Sequence, residues 1–232
     1  MNVLTRPEAG TAAPLPKGLV IFDCDGVLID SELIASRLMA ETLRAAGAEI
    51  TAHEAHVRFT GGSRGEILRI CREDYGLDDP EPALAGWEDR LFAAFRAELQ
   101  AVPGIEALVA GLDRPACVAS NSRIARLENS LGLLPLHAMF GGHVYSAEMV
   151  ARPKPAPDLV EHCLARMGVP AQEAVMIDDS PHGIEAAREA GVAAIGFVTP
   201  GDPRDGRAEL LLAAGAVAVV HGAPALAALL EA

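Results

Sequence analysis

Five short segments of the chain are continuously apolar, and the first of them ends abruptly in polar and glycine residues. They cover residues 19–23, 116–120, 174–178, 193–197 and 216–220. Because a strand that is covered on both faces shows no alternation, these segments predict buried strands of a parallel sheet. Apolar residues at helical spacing lie between them, and Ser180, Pro181 and Gly191 mark the start and end of one such helix. The alternation predicts a doubly wound, Rossmann-like α/β fold.

One long stretch breaks this alternation and contains no strand pattern. Its apolar residues recur at helical spacing, as in Leu91, Phe95 and Leu99. An insertion directly after the first strand would lie over the carboxyl end of the sheet, where ligands of open α/β sheets bind. We therefore predict a helical cap, and the alternative is a helical subdomain with no role at the site. The predicted organisation is a loose tail at residues 1–17, a core at 18–32 and 102–232, and the cap at 33–101.

Composition and charge narrow the classes of function. The chain has 232 residues, of which 50% are hydrophobic, enough for one core and a small satellite domain. The net charge of −13 argues against a nucleic-acid partner. The four cysteines form neither a C-x-x-C pair nor a zinc-type cluster, so we expect reduced thiols in the cytoplasm. The chain has neither a signal-peptide pattern nor a membrane-length apolar run, so we expect no membrane association.

Four polar clusters stand at or just after the predicted strands. Two of them pair carboxylates, which are costly to crowd together unless a cation neutralises them. Another opens a helix, where free backbone N–H groups can hold an anion. The fourth is a single cation just before a helix. The clusters are Asp23 with Asp25, Ser120 with Asn121, Lys154, and Asp178 with Asp179.

Taken together, the clusters predict one site for a metal and a phosphate. Carboxylates on two strand ends suit Mg²⁺, which prefers oxygen ligands and a substrate phosphate. A lysine and a helix N-terminus would supply positive potential for the phosphate. Each cluster alone is weak evidence, since an Asp-x-Asp-Gly segment is often only a turn and a lone lysine is commonly solvated. Their occurrence at the strand ends of a single α/β pattern indicates a shared function.

The polar clusters also resemble the motifs of a known family. The segment FDCDGVLIDSE, from Phe22 to Glu32, resembles the first motif of the haloacid dehalogenase superfamily, and the later clusters resemble its second, third and fourth motifs in the same order. The helical insertion resembles the cap of the branch that contains β-phosphoglucomutase and many sugar-phosphate phosphatases. Two departures are Pro153, where the family often has glycine, and Asp178, where relatives often have glutamate.

The resemblance implies a Mg²⁺-dependent phosphohydrolase with a role for each matching residue. Asp23 would attack phosphorus and become an aspartyl phosphate. Asp25 would protonate the leaving oxygen, then activate water, and its backbone carbonyl would ligate the metal. The remaining implied roles are phosphate binding by Ser120, Asn121 and Lys154, and Mg²⁺ binding by Asp23, Asp178 and Asp179 alongside Asp25.

Arg64 is the one substrate-binding candidate outside these motifs. It closes the segment GGSR in the predicted cap, at residues 61–64. The segment is either a turn that joins two helices or a loop that brings Arg64 to an anionic or sugar leaving group. The sequence leaves these two interpretations open.

Hydrolysis of a small phosphomonoester, a sugar or organic-acid phosphate, is the predicted function, because a cap would limit substrate size. A phosphomutase of the β-phosphoglucomutase type is the alternative, but this chain has Ala35 where that enzyme carries a cap histidine. A 2-haloacid dehalogenase needs no Mg²⁺ and usually lacks the second aspartate, so Asp25 argues against it. A non-catalytic binding module would be expected to have lost the nucleophile or a metal carboxylate. We expect a monomer, although no sequence feature determines the oligomeric state.

Overall fold

The computed structural model describes residues 3–5, 15–60 and 64–231. The chain divides into two compact units, each of which is described by itself. We call the first, Met1–Ile29 with Gln100–Ala232, the core unit, and the second, Asp30–Leu99, the helical unit.

The core unit is built on a seven-stranded sheet with the order β1-β7-β6-β5-β2-β3-β4. Every neighbouring pair is parallel except β1 with β7. The predicted Rossmann-like α/β fold is thereby confirmed. The strands are β1 (Val3–Thr5), β2 (Leu19–Phe22), β3 (Ala116–Ser120), β4 (Val144–Ser146), β5 (Ala174–Asp178), β6 (Ala193–Val198) and β7 (Ala218–His221).

Both faces of the sheet are buried, which explains why its central strands read as continuous apolar runs. All four residues of β2 are fully buried. Leu19 and Ile21 belong to one hydrophobic cluster, and alternation along the strand turns Val20 and Phe22 to the opposite face. There Phe22 meets Phe140 edge to face, with ring centroids 6.1 Å apart.

The helices of the core unit follow the pattern predicted from their termini. In α9 the Ser180 side chain accepts a hydrogen bond from the backbone N–H of His182, and Pro181 occupies the first turn. Gly168 ends α8 in a left-handed conformation. The helices are α6 (Ile105–Ala110), α7 (Ile124–Glu128), α8 (Asp158–Met167), α9 (Pro181–Glu189), α10 (Arg207–Ala214) and α11 (Ala223–Glu231), with 3-10 turns at Leu131–Leu133, Pro135–Phe140, Ala147–Met149 and Ala171–Glu173.

The order of the strands creates a switch point beside β2. From β2 the chain passes to β3 and β4 on one side, and it then returns to form β5 on the other side of β2. Open α/β sheets bind ligands at the carboxyl ends of the strands where the order reverses in this way. Phe22 of β2 pairs with Ile177 of β5. The next residue along each strand is an aspartate, so Asp23 and Asp178 lie side by side at this edge of the sheet.

The helical unit contains no strand among its described residues, as the sequence predicts. Its core includes Met39, Leu43, Phe59 and Leu84, with Cys71 among them. The sequence interpretation missed the helix that begins after Thr51, although its capping box with Glu54 (T-x-x-E) is a readable start signal. The helices are α1 (Ser31–Ala45), α2 (Ala52–Phe59), α3 (Arg64–Glu73), α4 (Glu81–Leu84) and α5 (Trp87–Glu98).

The edges of the sheet differ from the sequence prediction. The expected loose tail does not hold at Val3–Thr5, which pairs antiparallel with β7 and covers an edge that would otherwise expose unpaired backbone groups. The short strand Val144–Ser146 was not predicted, because three residues carry too little pattern to be recognised. The last predicted strand begins two residues later than expected, at Ala218. None of the helices in the described part of the chain has the length and apolar character needed to cross a membrane.

Candidate active site

Asp23 follows directly on β2 and is bound by the only buried lysine among the described residues. Its backbone N–H donates to the carbonyl of Ile177 on β5 at 2.9 Å, which fixes the start of the loop. The Lys154 ammonium donates to Asp23 Oδ1 at 2.6 Å and to the carbonyl of Ala119, at the end of β3, at 3.0 Å. Both residues are almost completely buried, with 8% of Asp23 and 6% of Lys154 exposed. A charged pair therefore joins the ends of two neighbouring strands.

Asp178, the last residue of β5, completes the coordination of the lysine. Its Oδ2 accepts from Lys154 Nζ at 2.8 Å, and its Oδ1 accepts from the backbone N–H of Ser180 at 2.9 Å. The carboxylate lies against Gly183 in the first turn of α9. A β-carbon at Gly183 would lie 1.7 Å from Asp178 Oδ2, so only glycine leaves room for this side chain.

Asp179 reaches the same site from the next position in the chain. It lies against Gly26, where a β-carbon would come within 2.9 Å of its Oδ2 and where φ is +80°, a conformation that favours glycine. Arg204 Nη2 donates to Asp179 Oδ2 at 3.3 Å, and Arg207 donates to its backbone carbonyl. Arg204 is in turn held by Asp202, with Nη2 2.7 Å from Oδ2. Two arginines therefore hold Asp179 in place by hydrogen bonds.

Asp23, Asp178 and Asp179 form a group that fits a divalent cation. Each offers one carboxylate oxygen, and these three oxygens lie within 4.8 Å of one another. Asp23 and Asp178 share the one ammonium of Lys154. Asp179 and Asp202 are paired with Arg204 and Arg207, so four carboxylates in this buried place face three cations. Carboxylate oxygen is the ligand type that Mg²⁺ prefers, and a bound cation would offset the remaining negative charge.

The pKa values at this site reflect the same excess of negative charge. Burial raises the pKa of Asp23 well above its usual range, Lys154 opposes this, and the neighbouring Asp178 and Asp179 raise the pKa further. Burial lowers the pKa of Lys154, but Asp178 and Asp23 outweigh it and hold the pKa above its usual range. The lysine is therefore a fixed cation, and a bound metal cation would lower the pKa of Asp23 and favour its carboxylate form.

The second predicted cluster makes a contact that the sequence did not indicate. Both polar groups of the Asn121 side chain bind the backbone of Lys154: Nδ2 donates to its carbonyl at 2.9 Å, and Oδ1 accepts from its N–H at 3.0 Å. Asn121 thus holds the lysine loop, which includes a cis peptide bond between Lys154 and Pro155. Ser120 is buried, and its Oγ accepts from the backbone N–H of Ser122 at 3.1 Å.

Asp25 is held by two residues that the sequence interpretation did not include. Ser122 Oγ donates to Asp25 Oδ2 at 2.7 Å, and Arg126 Nη2 donates to Asp25 Oδ1 at 3.1 Å. Ser122 could have been suspected, since it follows Ser120 and Asn121 directly. Arg126 is four residues further on in α7, and no local pattern distinguishes it from a surface arginine.

Arg64, the candidate for substrate contact, begins α3 in the helical unit. Its side chain is 67% exposed and pairs with Glu81. The other three residues of its segment, 61–63, lie outside the described residues.

Comparison with known sequences assigns a family to this arrangement. The model of the family described as haloacid dehalogenase-like hydrolase matches residues 18–191. A 6-phosphogluconate phosphatase of Escherichia coli (strain K12) is 31% identical over 174 residues, which are 75% of this chain and 79% of that protein. A phosphorylated carbohydrates phosphatase of Thermotoga maritima is 31% identical over 209 residues, 87% of this chain and 93% of that protein.

A solved structure supports the same assignment. The crystal structure of a HAD family hydrolase from Deinococcus radiodurans R1, with bound phosphate and sodium, superimposes with a TM-score of 0.80 at 29% identity. The match covers 92% of this chain and 97% of that one. The likeness therefore extends over both the strands and the helical insertion.

Proposed function

This chain belongs to the haloacid dehalogenase-like hydrolase family, and we propose that it is a Mg²⁺-dependent phosphatase that hydrolyses a small phosphomonoester through an aspartyl phosphate on Asp23. The observation that carries this proposal is the buried carboxylate of Asp23 with Lys154 Nζ 2.6 Å away, in a group of three carboxylates at the switch point of the sheet. Phosphoryl transfer depends mainly on positioning and charge neutralisation, and this site offers both.

Asp23, Asp178 and Asp179 would hold Mg²⁺, with the backbone carbonyl of Asp25 as a further ligand. When bound, the cation would neutralise the phosphate oxygens and the carboxylates around them. The support for this assignment is the mutual approach of the three carboxylates and the raised pKa of Asp23. Lys154 would neutralise both the nucleophile and the phosphate, and Ser120 would donate to a phosphoryl oxygen.

The reaction would proceed in two transfers. In the first, an Asp23 carboxylate oxygen bonds to phosphorus while the bond from phosphorus to the leaving oxygen breaks, and Asp25 gives that oxygen a proton. In the second, water attacks the phosphorus of the aspartyl phosphate and passes a proton to Asp25. The bond from phosphorus to Asp23 breaks, which releases phosphate and restores the Asp23 carboxylate. One residue thus serves as acid and then as base.

The substrate that we propose is a phosphorylated sugar or sugar acid. The support is that similar proteins are named 6-phosphogluconate phosphatase and phosphorylated carbohydrates phosphatase. We further propose that the helical unit acts as a cap that limits substrate size, because the chain enters it directly after the loop that carries Asp23 and Asp25. Arg64, exposed and basic, would read an anionic or hydroxylated leaving group.

We also propose that the protein works in the cytoplasm, as a monomer. The support for the location is that all four cysteines are buried and unpaired as disulfides, as expected of a reduced protein. The monomer remains the prediction from the sequence, and a sedimentation measurement would test it.

Phosphate release from a panel of sugar phosphates, organic-acid phosphates and nucleotides, with Mg²⁺ and with EDTA, tests the proposed function. We expect release only with Mg²⁺, and we expect Asp23→Asn to bind substrate without turnover, losing at least about 10³-fold in kcat. An active Asp23→Asn protein would refute the covalent route. Isomerised sugar phosphate without net phosphate release would indicate a mutase, and turnover of 2-haloacids in EDTA would indicate a dehalogenase.

A further inference from the structure

The side chain of Asp25 takes part in a small hydrogen-bond network just after the end of β3. Asp25 accepts from Ser122 Oγ on one carboxylate oxygen and from Arg126 Nη2 on the other, at 2.7 and 3.1 Å. These two donors come from the segment that follows β3, whereas Asp25 comes from the loop that follows β2. The contact therefore spans 101 residues of sequence, and packing of the core unit must bring its two ends together.

The donors are themselves held in place. Ser146, which is fully buried on β4, donates from Oγ to the carbonyl of Ser122 at 2.7 Å. The carbonyl of Arg126 accepts from Ser130 Oγ at 2.8 Å. The Asp25 and Arg126 side chains are only 20% and 24% exposed, so solvent screens their attraction less than it would at the surface. The two residues that donate to the Asp25 carboxylate are thus themselves held by hydrogen bonds to their backbone carbonyls.

We propose that Arg126 is a positioning residue that, with Ser122, sets the orientation of the Asp25 carboxyl group for both proton transfers. This inference rests on the proposed function, in which Asp25 is the acid and the base. An aspartate side chain can rotate about two bonds, and a proton donor is effective only within hydrogen-bond reach of the atom that it serves. Donors on both carboxylate oxygens fix the plane of the group, and the planar guanidinium is well suited to this task.

The two transfers depend differently on a well-placed Asp25, and this provides the test. A sugar alkoxide needs a proton to leave, whereas 4-nitrophenolate leaves readily without one. The value of kcat/KM reports the steps up to the breaking of the phosphate ester bond. Misplacing the acid should therefore lower kcat/KM for an alkyl phosphate and spare that for 4-nitrophenyl phosphate. Misplacing the base should slow hydrolysis of the aspartyl phosphate with either substrate.

The experiment compares the native protein with Arg126→Met, using the best sugar phosphate of the panel and 4-nitrophenyl phosphate. We expect kcat/KM to fall about 100-fold for the sugar phosphate, within the range that a general acid contributes, and to change less than about threefold for the aryl ester. The variant should also release a rapid burst of 4-nitrophenolate, close to one equivalent per enzyme, before slow turnover. Arg126→Lys, which keeps the charge but not the fork, should give intermediate values.

Two further variants separate positioning from a general structural effect. Ser122→Ala removes the other donor and should show the same selectivity with a smaller loss. Arg69→Met removes an exposed arginine that pairs with Glu73 in the helical unit, and it should behave like the native protein on both substrates. Thermal unfolding of each variant checks that the fold is kept.

Equal losses on the two substrates, or no loss on either, would overturn the role of Arg126. That result is distinct from failure of the proposed function, in which the native protein itself would release no phosphate from either ester with Mg²⁺ present. An active native protein combined with an unselective Arg126→Met variant would therefore refute this inference alone.

Discussion

The core unit buries a group of charged side chains, whereas the helical unit keeps its described arginine–carboxylate pairs at the surface. At the switch point of the core unit, Asp23, Lys154, Asp178 and Asp179 are all less than a tenth exposed. The arginine–carboxylate pairs described within the helical unit lie at its surface, with side chains at least 38% exposed. Among its described residues, the helical unit also buries a polar contact between Ser36 and His56.

This difference separates charge that a fold tolerates from charge that a function requires. Moving an ion out of water costs several kcal/mol even after the protein relaxes, and a partner returns that energy only with good geometry. Exposed pairs cost little and contribute little. A dense buried group of like charges is therefore kept in spite of its energetic cost, which is the expected signature of a site for catalysis or metal binding.

Removing Lys154 should have the largest effect on stability, because it leaves buried carboxylates without their cation. We expect Lys154→Met to lower the free energy of unfolding by about 3–5 kcal/mol at neutral pH without metal and to abolish phosphate release. Urea denaturation measures the first and the substrate panel the second. The chain's exposed lysine, Lys17, offers a matched control, since Lys17→Met should change neither. A Lys154→Met protein as stable as the native one would break the comparison between the units.

Replacing Arg204, which donates to Asp179, should have the next largest effect, and this effect should be on the affinity for Mg²⁺. Arg204 contacts both Asp179 and Asp202, so it fixes the orientation of a proposed metal ligand. Partners of this kind typically contribute 10- to 100-fold in metal affinity, and we expect Arg204→Met to weaken Mg²⁺ binding by about 10-fold. Titration calorimetry with Mg²⁺ alone measures this change. Tighter binding would show instead that the arginine acts mainly by repelling the cation.

Much of the core unit could be predicted from the sequence, because its candidate catalytic and metal-binding side chains end its strands or directly follow them. The nucleophile candidate Asp23 is the residue after a buried strand, and Asp178 ends another, so a local pattern identifies both. The first three buried strands were predicted at or within one residue of their bounds. The register of β2 and β5 then brings the two carboxylates together without any further information.

The parts that could not be predicted depend on contacts between distant segments. Arg126 and Arg204 look like ordinary surface arginines in the sequence, and only the packing of the core unit brings them to Asp25 and Asp179. The requirement for glycine at position 183 has the same origin, since it follows from the place of the Asp178 side chain. Asn121 is predicted to bind phosphate, and no local pattern indicates that its side chain also binds the backbone of Lys154. Local patterns identify the reacting groups better than the residues that support them.

The buried contact in the helical unit sharpens the comparison, because it joins a hydroxyl and an imidazole instead of crowding several carboxylates together. Ser36 Oγ donates to the carbonyl of Glu32 at 2.7 Å and lies 3.0 Å from His56 Nδ1. Because a hydroxyl has one proton, it must accept from His56, which places a proton on Nδ1. We expect Ser36→Ala to lower the free energy of unfolding by about 1–2 kcal/mol, less than Lys154→Met. Urea denaturation checks this value, and an equal or larger loss would contradict the ranking.

The smallest effect should come from an exposed pair of the helical unit. Arg69 Nη1 lies 2.7 Å from Glu73 Oε2, one turn along α3, and both side chains are more than half exposed. Solvent screens such a pair, and holding two long side chains in one geometry costs entropy that offsets most of the attraction. We therefore expect Arg69→Met to leave the urea midpoint unchanged within error at both low and high salt. A clearly lower urea midpoint that depends on salt would mean that surface charge also stabilises this unit. The contrast with the buried site would then be one of degree.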